Sequence, residues 1–176
     1  GGQDVGATGG KPLRGLAARE PWRAFSSPFV HYSAMHLWGN VAGLALTAAL
    51  GVAARAPARL ALAWLVAWPL AQLGLLVQPA IAHYGGMSGV VHAGVPIICV
   101  HLLFNGHRVL GGAMLAGEIV KVLGESPWSE PLRQLEGWDI AIVPLAHASG
   151  LVAGITCAAC TEGLAWLRRR PTDVGA

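Results

Sequence analysis

The sequence predicts an all-α polytopic membrane protein, and three observations carry that prediction. Of 176 residues, 54% are hydrophobic and only 12% are charged, whereas a water-soluble domain carries about 25% charged residues; the mean hydropathy is +0.53. The apolar residues are gathered into blocks with short basic or glycine-rich connections between them, the pattern of successive spans. Finally, single polar residues recur near one end of three of those blocks, where lipid-facing packing gives them no purpose.

Residues 1 to 19 are Gly-rich and polar and are expected to be flexible. With the following loop, Glu20-Pro21-Trp22-Arg23-Ala24-Phe25, they form an N-terminal stretch to residue 30. A membrane domain is expected over 31–170 and a cytoplasmic tail over 171–176. The Trp and Arg before the first block suit an interfacial anchor. The first span follows Phe29 to Asn40 and ends near Ala54, before Arg55 and Arg59. The second is expected from Leu60 to Val77, with Pro69 inside it suggesting a kink. The third runs from Ser88 to Phe104 and stops at Asn105-Gly106-His107-Arg108; the fourth, Val109 to Leu123, is weaker and carries Glu118 and Lys121. Residues 124 to 139 read as a polar loop, and the last span as Ile140 to Leu167, closed by Arg168-Arg169-Arg170.

Alternation of direction puts Arg55, Arg59, Arg108 and the terminal arginines on one side, which the positive-inside rule makes cytoplasmic. The twelve basic against nine acidic residues therefore report topology and predict no nucleic-acid partner. Cys99, Cys157 and Cys160 all lie in apolar stretches and read as packing residues.

Depth then selects the candidate site. At a rise of about 1.5 Å per residue, Ser88 lies about 30 Å above Arg108, His147 about 31 Å above Arg168, and His36 about 28 Å above Arg55. These residues share one level near the outer boundary of a hydrocarbon core about 30 Å thick. Reading residues 140 to 146 as two helical turns above His147 submerges that level and implies a wet pocket opening outward. A small transporter or channel would instead distribute polar residues through the whole depth.

At that level the chemistry of acyl transfer can be assigned. Ser88, in Gly86-Met87-Ser88-Gly89, heads a helix whose first N–H groups are unpaired. His147 is the candidate base. Asn40, one turn from His36, can donate to an oxyanion beside the Ser88 backbone N–H. His92, four residues after Ser88, can pack against the His147 ring. With only Glu118 and Glu162 as acidic residues on the spans, a Ser–His dyad is favoured over a triad. Gly150 and Gly154 form a Gly-x-x-x-Gly pair that brings the His147 helix close to a neighbour. His101 and His107 read as helix-to-helix hydrogen bonds or as cytoplasmic-boundary residues, and Glu118 with Lys121 as a pair of structural or gating role.

With these residues in view, the sequence resembles the rhomboid family of intramembrane serine proteases from Trp22-Arg23 to Gly154. Trp22-Arg23 is similar to the family's first-loop pair. His36 to Asn40 is similar to its oxyanion helix, with His31 at the preceding histidine position. Gly86-Met87-Ser88-Gly89 is similar to its nucleophile motif, and Ala146-His147-Ala148-Ser149-Gly150 with Gly154 to the helix bearing the base. The resemblance implies a rhomboid-like helical bundle, no metal or cofactor, and cleavage of a transmembrane protein substrate near its outer end. The fourth span is the candidate for lateral access. Rhomboids usually have six spans; five are visible, so the resemblance implies a sixth ahead of residue 1, absent from this chain. His92 in Ser-Gly-x-x-His, the compact size and Lys121-Val122-Leu123-Gly124-Glu125 are similar to the rhombosortase subgroup. That likeness implies a bacterial inner-membrane enzyme, open to the outer side, acting on C-terminal Gly-Gly, hydrophobic and basic sorting tails. The alternative is a catalytically silent rhomboid-like protein that binds transmembrane segments; such proteins lack the serine or the histidine, and both are intact here.

Overall fold

In a computed structural model of the protein, residues 11–12, 21–81 and 83–169 are described. Five long helices appear where the apolar blocks predict them. After a single turn, α1 (Arg23–Ser26), come α2 (Ala34–Ala53), α3 (Ala58–Leu73), α4 (Ser88–Phe104), α5 (Arg108–Gly124) and α6 (Pro144–Arg169). Two two-stranded ladders complete the structure: β1 (Lys11–Pro12) pairs antiparallel with β2 (His83–Tyr84), and β3 (Arg133–Gln134) with β4 (Ala141–Ile142). Apart from Lys11–Pro12, the stretch expected to be flexible at 1–19 lies outside the described residues, as do Arg170 and the tail at 171–176.

Among the described residues, three segments are long and apolar enough to cross a membrane: Ala34–Ala53, Ala58–Val77 and Pro144–Arg168. The shorter α4 is apolar over its 17 residues, a length of about 25 Å. It is also the central helix, with eleven buried residues, so its length is matched to neighbours on several sides rather than to lipid.

α4 is gripped by α3 and α6. Their contact is made of small side chains: Ala63, Ala67 and Ala71 on α3, Ala93 on α4, Ala153 and Ala158 on α6, with Leu60, Ile97 and Val100 filling the remainder. In a bundle surrounded by lipid, close backbone approach and dispersion replace the hydrophobic effect as the source of helix association. Gly150 and Gly154 permit that approach: a Cβ on Gly150 would strike the Gly89 carbonyl oxygen, and one on Gly154 the Ala93 carbonyl oxygen. The Gly-x-x-x-Gly pair therefore lays α6 directly on α4. By contrast, α2 and α5 sit at the periphery, each leaning chiefly on α4.

The structure corrects one boundary. The last helix begins at Pro144, not Ile140, and residues 141–142 are strand instead of helix. His147 therefore lies in the first turn of α6, and the two turns of helix expected above it do not exist. A short apolar run such as Ile140–Val143 satisfies helix and strand patterns equally, and here the Pro at N1 marks the start. The second span reaches Val77 as expected; within it α3 ends at Leu73, one turn after Pro69, and the chain continues as a 3₁₀ turn over Gly74–Val77. The connection from α5 to α6 is more than a polar loop. Its hairpin carries Trp138 against Gly39, where a Cβ would meet the ring at 2.9 Å, and Asp139 accepts from Ser33 Oγ at 2.9 Å. It therefore ties the far end of the chain to the start of α2.

Candidate active site

Ser88, His147, His36 and Asn40 all lie at one end of the bundle, because α2, α4 and α6 run the same way and each begins there. Ser88 is the first residue of α4, and the residue before it, Met87, makes no side-chain cap. The first backbone N–H groups of α4 are thus left for a ligand. The approach to Ser88 is fixed from behind: Gly86 N–H donates to the Ser27 carbonyl at 3.2 Å, and Ser27 Oγ donates to Gln72 Oε1 at 3.1 Å.

Gly86 has φ of +123°, a conformation that other residues rarely adopt. It is also where α2 closes on the loop that leads into Ser88. A Cβ there would lie 2.6 Å from His36 Nε2 and 3.8 Å from Asn40 Nδ2. His36 and Asn40 thus face the backbone two residues before Ser88. Asn40 is 7% exposed, and its Nδ2 has no hydrogen-bond partner among the described residues. A buried amide left unpaired costs about 1–3 kcal/mol, so this donor can take an acceptor from outside the chain. His31 packs edge-on against His36 at 4.9 Å between ring centroids, and Tyr32 stacks on its other side at 6.1 Å. These contacts fix the His36 ring, and Ser33 caps α2 by accepting from His36 N–H at 3.0 Å.

On the other side of Ser88, His92 stacks on His147 with centroids 4.1 Å apart and planes 11° from parallel. His92 Nδ1 lies 2.7 Å from the Ser88 carbonyl oxygen and, as the only partner there able to donate, carries the proton. Its Nε2 is then an acceptor, and Lys121 Nζ donates to it at 2.5 Å. His147 Nδ1 meets Glu125 Oε2 at 2.5 Å, with Lys121 Nζ 3.3 Å away. An Nδ1 that donates to a carboxylate cannot also accept from an ammonium. The Lys121 contact is therefore proximity, and the Glu125 bond sets the tautomer. That leaves Nε2 of His147 as the basic nitrogen.

Glu125 sits just past the end of α5. Burial opposes its ionisation, but the hydrogen bond and charge of His147, together with Lys121 at 2.9 Å, outweigh burial and hold the carboxyl down at about 2. Sequence reasoning counted no acidic partner for His147 at this level. Tyr84 was also missed. It is buried, and its hydroxyl lies 3.5 Å from Ser88 Oγ. Burial raises its hydroxyl above the ordinary phenol range, so the group stays protonated. Ser88 Oγ makes no hydrogen bond to His147 among the described residues. In enzymes without substrate such contacts are often long and tighten only in the complex.

The expected Glu118–Lys121 pair does not form. Lys121 is committed to Glu125 and His92, and Glu118 Oε2 is buried without a hydrogen-bond partner. His101, expected as a helix-to-helix bond, makes one: its Nδ1 meets Glu162 Oε1 at 2.9 Å, linking α4 to α6 at the opposite end. All three cysteines are free thiols, Cys99 and Cys157 buried and Cys160 exposed.

With Ser88, His147 and the Asn40 donor at one end of an apolar bundle, comparison with known families becomes informative. The sequence profile of the rhomboid domain matches residues 18–163. The chain belongs to the rhomboid family. No curated protein and no solved structure matches the chain. The helical architecture and the membrane-crossing helices agree with a rhomboid domain, whose members are generally intramembrane serine proteases.

Proposed function

We propose that this rhomboid is an active intramembrane serine endopeptidase in which Ser88 is the nucleophile and His147 the base. The observation that carries the proposal is the unpartnered Asn40 amide, buried beside Gly86 and two residues from Ser88. Serine attack on a scissile carbonyl places negative charge on its oxygen, and a pre-aimed donor stabilises that charge more than it stabilises the substrate. Asn40 Nδ2 and the Ser88 backbone N–H are the donors, with His36 lining the same space.

In the first step Ser88 Oγ attacks and His147 Nε2 takes its proton. The tetrahedral adduct collapses, the C–N bond breaks, and the proton passes from His147 to the leaving amine. Water then attacks the Ser88 acyl ester with His147 again as base. Glu125 holds the ring through Nδ1, and His92 supports it by stacking. The substrate is a transmembrane segment loosened near one end, since an intact helix hides its carbonyls in hydrogen bonds. The reading places the site at the outer face of a bacterial inner membrane, because the arginines gather at the opposite end.

The finer assignment, removal of C-terminal Gly-Gly, hydrophobic and basic tails, draws support from Lys121 and Glu125. Both residues come from the segment similar to rhombosortases, and both contact the histidine pair. Cleavage of such a tailed protein in membranes is the test, with Ser88→Ala and His147→Ala as partners and a serine-directed phosphonate to label Ser88. Cleavage by either variant at the parent rate, or labelling that survives Ser88→Ala, overturns the assignment. A chain that binds the tailed protein without cutting it would be the silent alternative.

A further inference from the structure

At the end of the bundle away from Ser88, α2 and α3 scarcely touch although they are consecutive; each leans on α4 instead. The gap between them is a groove of about 440 Å³ floored by Gly94, Ile97 and Ile98 of α4 and walled by Gly51, Val52 and Ala61 among others. Its closed end lies at Gly94, where a Cβ would strike both Thr47 Cγ2 and the Trp64 ring. Trp64 is fixed there by donating from Nε1 to the Val90 carbonyl at 2.7 Å. From Thr47 to Val52 the groove follows α2 for about 8 Å and continues past the helix end to Arg55 and Ala56. Its open end, at Arg55 and Pro57, is shared with a second cavity of about 330 Å³ lined by Arg55, Arg59, His101, Asn105 and His107. An apolar slot thus opens directly into a basic, polar mouth.

The mouth retains unspent donors. Arg59 gives both hydrogen bonds of its Nη2 to Glu162, and its Nε has no partner. Arg55 is exposed, and its side chain makes no ion pair or hydrogen bond among the described residues. It also holds φ at +51°, a left-handed conformation that glycine takes without strain. That conformation closes α2, with Ala56 N–H donating to the Gly51 carbonyl at 2.9 Å, and it leaves the Arg55 side chain bordering both cavities.

We propose that this compartment binds one anionic phospholipid from the leaflet at the arginine-rich end, with an acyl chain in the α2–α3 groove and the phosphate at Arg55 and the exposed part of the Arg59 side chain. Charge complementarity selects the headgroup, and the dead end at Trp64 and Thr47 limits the depth of the chain. The lipid supplies the packing that α2 and α3 do not give each other, and α2 is the helix that carries His36 and Asn40 at its other end.

The full chain in neutral detergent is tested by native mass spectrometry with phosphatidylglycerol, diacylglycerol of the same chains, or inorganic phosphate. One phosphatidylglycerol per chain is expected to be retained, with neither of the other two held. Arg55→Gly, which removes the charge and the strain together, is expected to cut retention at least fivefold while Tm in lipid-free detergent stays equal or rises. Gly51→Leu fills the groove and is expected to do the same, since a Cβ there meets Ile98 Cδ1 at an ordinary 3.9 Å. Ala61→Leu repeats that arm from the facing wall should Gly51→Leu melt early. Equal retention of diacylglycerol, capture of phosphate alone, or parent-like retention by Arg55→Gly or by the groove-filled variant overturns the proposal.

Discussion

Glu125–His147 at one end of the bundle and Glu162–His101 at the other are the same chemical pair in different surroundings. Glu162 is 2% exposed and fully engaged, taking two hydrogen bonds from Arg59 and one from His101. The cluster locks α3, α4 and α6 together, and its histidine lies about 20 Å along α4 from Ser88. At the other end the Glu125 carboxylate occupies Nδ1 of His147, and the ring is braced by His92, whose own Nδ1 bonds the Ser88 carbonyl. A buried Glu–His pair is a structural clamp where it only ties helices together; beside a serine and an unpaired side-chain amide the same pair can orient a base.

The largest effects should come from the open end. Ser88→Ala and His147→Ala are each expected to lower cleavage of a transmembrane substrate by about 10⁴-fold or more, as loss of either member of a nucleophile–base pair does elsewhere. Tm should barely move for Ser88→Ala, whereas His147→Ala also strips Glu125 of its ring partner and His92 of its stack and should lower Tm as well. His101→Ala should show the reverse pattern, with a lower Tm and near-parent turnover of the folded fraction. Were His101→Ala to abolish cleavage in well-folded protein, the two ends would not be separable.

Asn40→Ala comes next. Its amide makes no hydrogen bond on Nδ2 that the substitution could break, so stability should hold while kcat falls by about 10²–10³, the usual cost of one oxyanion donor. Single-turnover cleavage beside a thermal melt separates these effects. A fall in Tm with kcat within about threefold of the parent would make Asn40 a packing residue instead.

How much of this was legible beforehand follows from what sequence spacing encodes. The helices were readable because apolar blocks and flanking arginines are local signals. Ser88, His147, His36 and Asn40 could be aligned because three parallel helices share one end. The start of α6 was misjudged because Ile140 to Val143 fit either period, and the inference that His147 lies two turns deep went with it. Glu125 is not legible from the spans, because it sits one residue beyond α5 and meets a histidine 22 positions away. Tyr84 escaped likewise, as an aromatic in a connection whose burial depends on α1 and α6. The Lys121 to Glu125 segment was visible only as a likeness; its contact with the histidine pair explains why lysine and glutamate stand four apart there.

Glu125→Gln sharpens the comparison through pH. General-base catalysis supplies about 10²–10⁴, and loss of the orienting charge should remove part of it, about 10–10²-fold, since His92 still braces the ring. The sign of the stability effect follows from the depressed carboxyl. The folded protein holds it at about 2 against an ordinary 4.5, so the unfolded chain takes up the proton first as pH falls. The Tm advantage of the parent over the Glu125→Gln variant should therefore be constant above about pH 5, shrink below about pH 4.5, and vanish as pH approaches about 2. A gap that persisted at the acid end would assign the effect to hydrogen-bond geometry rather than charge.

Glu162→Gln should leave catalysis least affected. The amide keeps one carbonyl oxygen for Arg59 or His101 but removes the charge that both neutralise, at a cost of about 1–3 kcal/mol for hydrogen bonds weakened in a buried site. Tm should fall by several degrees while cleavage by the folded protein stays within about twofold, because Glu162 lies about four turns along α6 from His147. A loss as large as that of Glu125→Gln would mean that α6 transmits strain from the closed cluster to the open one, and the clamp would then be part of the catalytic apparatus.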